Sequence, residues 1–408
     1  MNIRNPGQDG AGKGSAPENT GAGKASPVHM YRVSLLILFF MMGSVFGSWA
    51  SRIPDIKRAL SLSDGALGLA LFAAPTGEFA AVAVAALLIK RWGSQAVILA
   101  GLPCYAVCLT GLGLAPSLPF LAAALFLFGF ASNTFNIALN AQAVDVECLY
   151  KRPIMSTFHG MWSLGGVAGG TLGAIVAPLG LPPLPHFIIM CAVTCLVTFS
   201  VRHRILPHDL PRKFTPKKHR GFTMPSCFIL LLGFIAFSNM ATEGTMYDWS
   251  AVYFAQVVRP GEALVRAGYI ACMICMVCCR FIADRLVVRF GAIRVLQFSG
   301  LCTAAGFLLA CLVPTLPAAT AGFAMVGFGM APAIPLCYSL TSKSRTVSPS
   351  VAISIISTIS FFGMLASPAG VGMLSHVFGL QTALMPLAAM GLSIIVLAPL
   401  LTRAERNQ

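Results

Sequence analysis

The chain is 408 residues long, 57% hydrophobic and only 10% charged, with a mean hydropathy of +0.80. This composition excludes a water-facing globular domain, in which about a quarter of the residues are charged. The formal charge of +15 would suggest nucleic acid in a soluble protein, but its placement along the chain assigns it to a membrane surface.

Residues 1–28 are rich in Gly, Ala, Ser, Pro and Asn and hold no apolar core, which reads as a disordered cytoplasmic tail and not a signal peptide. A helix needs about 20 apolar residues to cross the hydrocarbon. Stretches of that kind fall near 31–50, 65–89, 94–115, 118–144, 154–178, 184–202, 223–256, 264–284, 292–313, 317–340, 349–375 and 380–402. The first six make an N-terminal bundle over 29–202. The longest polar stretch between spans, 203–222, is a cytoplasmic linker. The last six make a C-terminal bundle over 223–402, followed by a cytoplasmic tail at 403–408. With the N-terminus cytoplasmic, 23 of the 28 Lys and Arg residues fall on the cytoplasmic side or at its helix ends, and only Arg52, Lys57, Arg58, Arg259 and Arg266 lie outside. That positive-inside bias places both termini in the cytoplasm and leaves no role for nucleic acid.

The 13 cysteines lie nearly all in apolar spans. Cys275 and Cys278 have redox or metal spacing but neither a His nor a second pair beside them, so soft packing accounts for them, and no metal or cofactor is expected.

The two halves repeat. Lys90-Arg91-Trp92-Gly93 aligns with Val288-Arg289-Phe290-Gly291 at an offset of 198, and Ala177-Pro178-Leu179-Gly180 with His376-Val377-Phe378-Gly379 at 199. Six spans per half give the repeats the same orientation, which predicts an all-α membrane protein of two six-helix bundles related by a pseudo-two-fold axis along the membrane normal.

Arg280-Phe281-Ile282-Ala283-Asp284-Arg285 followed by Arg289-Phe290-Gly291 resembles the short-loop motif of the major facilitator superfamily, in its second-half copy. The first-half copy at Ile89–Gly93 lacks the acid. Four segments beginning at Gly47, Asn136, Phe158 and Glu243 resemble a bacterial inner-membrane branch of that superfamily near the fucose permeases. The resemblance covers about residues 30–402 and implies a secondary transporter working by alternating access. It also implies that Asp284 touches a helix N-terminus of the facing bundle and that Arg280, Asp284 and Arg285 act in gating. The fucose permeases carry carboxylates in spans one and four. Here those spans offer Ser44, Ser48, Asn136 and Asn140, so coupling is expected elsewhere.

Ionisable residues inside spans are costly and are functional candidates by default. Asn239, Glu243 and Tyr247 share a face of span seven, and Gly244 is expected to loosen that helix. Glu243 is the leading proton carrier, with Glu78, after Pro75-Thr76-Gly77, and His159 as further candidates. Asn133, Asn136 and Asn140 share a face of span four and suit the hydroxyl or carbonyl groups of a polar ligand. Ser44 and Ser48 form a stripe leading to Arg52, and Trp49, Trp162 and Tyr338 could stack on a ring. Arg52 is expected to pair with Asp248 or Glu243 as a gate when the cavity faces inward. Ser354, Ser357 and Ser360 read as close helix packing.

No hydrolase elbow, Walker loop or metalloprotease His-Glu pair is present, so an enzyme is not expected. The expected partners are a small polar, sugar-like substrate, protons and the bilayer, in a monomer of the bacterial inner membrane. The competing readings are proton-antiport export of amphipathic compounds and a non-transporting receptor.

Overall fold

The computed structural model describes residues 27–150, 154–207, 225–344, 346 and 349–406, and every regular element among them is helical. Most of the expected tail at 1–28 and of the 203–222 linker lies outside these residues. Among the described residues ten segments are long and apolar enough to cross a membrane. One of them, 50 residues long, is two spans joined at a break, and helix Met155–Val176 crosses as well, giving the expected twelve.

Helix α1 (Pro27–Ala59) crosses outward from the chain terminus. Span two is divided into α2 (Asp64–Leu71) and the start of α3 (Ala73–Gly113), with the break at Phe72. Pro75 causes that break, because it has no N–H to donate to Leu71. Helix α3 then breaks again at Gly93 (φ 78°, ψ 158°), and its remainder is span three. Spans four to six are α4 (Leu118–Tyr150), α5 (Met155–Val176) and α6 (Pro183–Val201). The second half begins with α7 (Cys227–Tyr253), which ends in a π-turn at Phe254–Val258. Helices α8 (Ala267–Phe290) and α9 (Ala292–Leu312) flank Gly291 (φ 83°, ψ 152°). Span ten is divided by Pro332 into α10 (Leu316–Met330) and α11 (Ala333–Leu340). Helix α12 (Pro349–Phe378), the short α13 (Leu380–Ala383) and α14 (Met385–Arg406) complete the chain, so the last helix runs past its expected end at 402.

The repeat is written into the backbone. Among the described residues four glycines have positive φ: Gly93 and Gly291 (78° and 83°), and Gly180 and Gly379 (76° and 80°). They are the two pairs matched by the sequence offset, and each lies where the chain turns from one helix to the next in a conformation that would strain a residue with a Cβ.

Within the first bundle α1 packs on α5 and α6, and α3 on α4 and α6. Within the second, α7 packs on α12 and α14, α9 on α10 and α14, and α8 on α10. Small residues let backbones touch, which replaces the hydrophobic drive that lipid cannot supply. A Cβ on Gly43 or Gly47 of α1 would run into carbonyls of α5, and one on Gly165 or Gly169 of α5 into carbonyls of α1. The same reasoning corrects two expectations. Ser44 and Ser48 lie buried in this seam and not on an open ligand face, with the Ser44 hydroxyl donating to Phe40 O at 2.9 Å and Ser48 Oγ without a partner among the described residues. Gly244 does not loosen α7, which continues through it; it admits Ser367 of α12.

Candidate functional site

At the end of the molecule away from the chain termini, the bundles are pinned together by charge. Asp55 of α1 lies 2.6 Å from Arg266, 2.6 Å from Arg58 and 2.9 Å from Arg52. Arg266, fully buried just before α8, also reaches Glu262 at 2.9 Å and donates to Ser51 O at 3.0 Å. Arg58 reaches Glu262 at 3.0 Å. A second cluster centres on Asp64, which pairs with Lys57, accepts from Gln256 at 2.9 Å and accepts from the hydroxyl of Ser375 in α12. One turn along from the Asp64–Ser375 contact, α2 and α12 meet at Gly68 and Gly372: a Cβ on Gly68 would lie 2.6 Å from Pro368 O, and one on Gly372 2.8 Å from Gly68 Cα. At the terminal end the one ion pair among the described residues, Lys343–Glu405, lies within the second bundle.

This corrects the expected gate. Arg52 pairs with neither Asp248 nor Glu243. It is buried against Asp55 and donates to the carbonyl of Leu181, because Asp55 is one turn away and both acids of α7 lie deeper. Four of the five bases that the charge bias leaves outside (Arg52, Lys57, Arg58 and Arg266) are gate residues, which is the signal that could have found it. The acids Asp55, Asp64 and Glu262 had no such mark.

Deeper, halfway along α7 and α8, a second group of side chains meets at the interface. Tyr247 donates its hydroxyl to Glu243 Oε1 at 2.5 Å, as their four-residue spacing allows. Arg280 Nη2 lies 3.6 Å from the same oxygen, and Arg280 Nη1 donates across the interface to Ser163 Oγ of α5 at 2.5 Å. Trp162, Tyr247 and Phe46 form an aromatic triangle with centroids 5.1 to 6.0 Å apart, drawn from α5, α7 and α1. His159, one turn from Ser163, is exposed, contacts Phe39 edge-on at 5.6 Å and lies within electrostatic range of Arg280. Ser163 and Phe46 escaped sequence reasoning, since nothing local distinguishes one serine or phenylalanine in an apolar span.

Arg280 therefore stands in the interior of α8, and not in a loop. Asp284 is in the same helix, seven residues or about 10 Å before the break at Gly291, although its side chain lies outside the described residues. Arg285 is exposed one position further. The described acid that does cap a helix is Glu147, which accepts from the backbone N–H groups of Ile154 and Met155 at 2.7 and 2.8 Å and so holds the start of α5 within its own bundle.

The remaining candidates are dispersed. Glu78 and Asp248 come from opposite bundles, interact electrostatically with each other, and make no ion pair among the described residues. Asn133 donates to Glu78 O at 2.7 Å, tying α4 to α3. Asn140 donates to Asn136 Oδ1 at 2.7 Å and to Asn136 O at 2.9 Å, which ties these two amides together and uses the Nδ2 of one and the Oδ1 of the other. Asn239 is buried with its Nδ2 unpaired. Trp49 is buried against Phe128 inside the first bundle, at 6.2 Å, away from the aromatic triangle. Tyr338 bonds to Ser357 at 2.9 Å within the second bundle, and Ser354's side chain lies outside the described residues.

Comparison with known proteins agrees with this architecture. The Major Facilitator Superfamily profile matches residues 34–349. An uncharacterised MFS-type transporter of Yersinia pestis is 30% identical over 377 residues, covering 91% of this chain and 96% of its own. An uncharacterised transporter of Sinorhizobium fredii is 32% identical over 368 residues, covering 89% and 96%. Among solved structures, a bacterial homologue of the human lysosomal transporter Spinster, inward-facing and unoccupied, shares the fold at a TM-score of 0.72 and 14% identity, covering 94% of this chain and 99% of that one. A mutant form of the nucleoside transporter NupG shares it at 0.70 and 16%, covering 92% and 99%. The chain belongs to the Major Facilitator Superfamily and is a multi-pass membrane transporter.

Proposed function

We propose that this transporter moves a small polar metabolite across the bacterial inner membrane by alternating access, coupled to protons, as a monomer with both termini cytoplasmic. The observation that carries the reading is Arg280, which sits 3.6 Å from Glu243 in its own bundle and donates to Ser163 in the other. A charge that reaches across to one bundle while its titratable partner lies in the other links the bundles' relative position to the state of that partner. With the termini inside, the closed end is the outer one, and the structure is the inward-facing form. Glu78, His159 and Asp248 border the same interface and are the next proton carriers in line.

Glu243→Gln mimics the protonated carboxyl. In proteoliposomes it abolishes proton-driven accumulation and largely spares substrate exchange, because exchange does not require the proton to leave. Equal loss of both would assign Glu243 to substrate binding or folding, and unchanged accumulation would remove it from the mechanism. Export by proton antiport is the second reading, favoured by the triangle of Phe46, Trp162 and Tyr247, which suits an amphipathic ring. An imposed proton gradient separates the two: symport fills the vesicle in the direction of proton flow, and antiport empties it.

A further inference from the structure

Arg280 is a cation of the interior whose donors are mostly unspent. Among the described residues it makes one hydrogen bond, to Ser163, and its side chain keeps 26% of its exposure although it lies well inside a membrane-spanning helix. Its contact with Glu243 is loose. The 3.6 Å separation exceeds the 2.7–2.9 Å of a charge-assisted hydrogen bond, whereas Arg266 in the gate reaches its two acids at 2.6 and 2.9 Å. Glu243 Oε1 accepts from the Tyr247 hydroxyl instead, and among the described residues no Arg280 nitrogen comes within hydrogen-bond distance of the carboxylate. A guanidinium with five fixed donors matches a carboxylate bidentately. Arg280 therefore has its fork presented to the interface without the anion it is shaped for. The body of any ligand held there would lie beside Trp162, Tyr247 and Phe46, with the exposed His159 close by.

We infer that the substrate is a small organic monocarboxylate, its carboxylate taken by Arg280 and Ser163 and its body packed on the aromatic triangle. This rests on the transporter reading above and adds the charge of the cargo. Glu243 is the competing anion. A proton on Glu243 withdraws that competition, so anion and proton load together and the loaded site carries no added charge.

The test is ligand binding to the purified full-length protein, read by thermal shift and by tryptophan fluorescence. The probes are acetate, lactate, benzoate and 4-hydroxybenzoate, with benzamide as the neutral and benzylamine as the cationic counterpart of benzoate. At least one carboxylate, most strongly an aromatic one, raises the melting temperature with concentration, while benzamide and benzylamine at equal concentration do not. Arg280→Gln weakens that carboxylate by about tenfold or more, the worth of a charged hydrogen bond, and Arg280→Lys by less. Glu243→Gln binds it more tightly and with a flatter pH dependence, a gain that a folding defect cannot produce. The assignment is overturned if no carboxylate binds, if benzamide or benzylamine binds as well as benzoate, if Arg280→Gln binds like the wild type, or if Glu243→Gln binds more weakly. A neutral or cationic solute that binds and crosses proteoliposomes would sink the anionic cargo and leave the transporter reading intact. A bound carboxylate that never crosses would do the reverse.

Discussion

Arg266 and Arg280 stand 14 residues apart at the start and in the middle of α8, and both face the other bundle, yet their surroundings fit them for different work. Arg266 is fully buried, with two acids and two backbone carbonyls around it. A buried pair of this kind adds little net stability, but removing one partner strands a charge at a cost of about 3–5 kcal/mol, so it marks one conformation sharply. Arg280 is half-open and loosely paired, as suits a group that exchanges partners. The asparagines of α4 give the contrasting case. Asn133 holds Glu78 O, a bond worth about 1 kcal/mol. Asn133→Ala should therefore lower the melting temperature by the equivalent of roughly 1–2 kcal/mol and leave transport KM unchanged. A raised KM at unchanged stability would return Asn133 to the ligand. Sequence found the residues of the site on α7, where Glu243 and Tyr247 share one helical face and hydrogen-bond as their spacing allows. It could not find Ser163 or the pairing of Arg280, since those contacts join residues 117 apart across two helices.

At the scale of elements, polar side chains do little of the joining in the first bundle, and close backbone approach does most. The α1–α5 seam rests on Gly43, Gly47, Gly165 and Gly169, each filled by the opposing backbone. A methyl group at Gly165 must push against Phe40 O, so Gly165→Ala should destabilise the fold by about 1–3 kcal/mol, the usual cost of overpacking, and a melting curve without loss would refute close packing there. Twelve spans and the helix breaks at Gly93 and Gly291 were legible in the sequence, because length, apolarity and a repeated turn are local signals. The serine stripe was misread for a physical reason: a small hydroxyl on a helix face looks the same whether it meets a ligand or a glycine of the next helix. The breaks at Phe72 and Pro332 both follow proline chemistry, since Pro75 and Pro332 each lack the N–H that would continue the helix.

At the scale of the molecule, the ion pairs that join the bundles among the described residues gather at one end of the interface. The Asp55 and Asp64 clusters and the Gly68–Gly372 contact tie the bundles at the closed end, while among the described residues no ion pair joins them at the terminal end. The charge bias marked the gate's bases but not its pairing, because the acids carry no such mark and the partners across the interface are about 200 residues apart. If the fold alternates, weakening the lock must open that end and close the other. The direct measurement places pairs of spin labels at Ala59 and Ala263 across the closed end, and at Leu149 and Lys343 across the terminal end, in nanodiscs. Asp55→Asn leaves Arg266 without one of its two acids, and should shift the balance between two states by a few kcal/mol at most. The account predicts that the first distance lengthens while the second shortens in the same sample. Distances that stay as in the wild type, or that lengthen at both ends together, would contradict it.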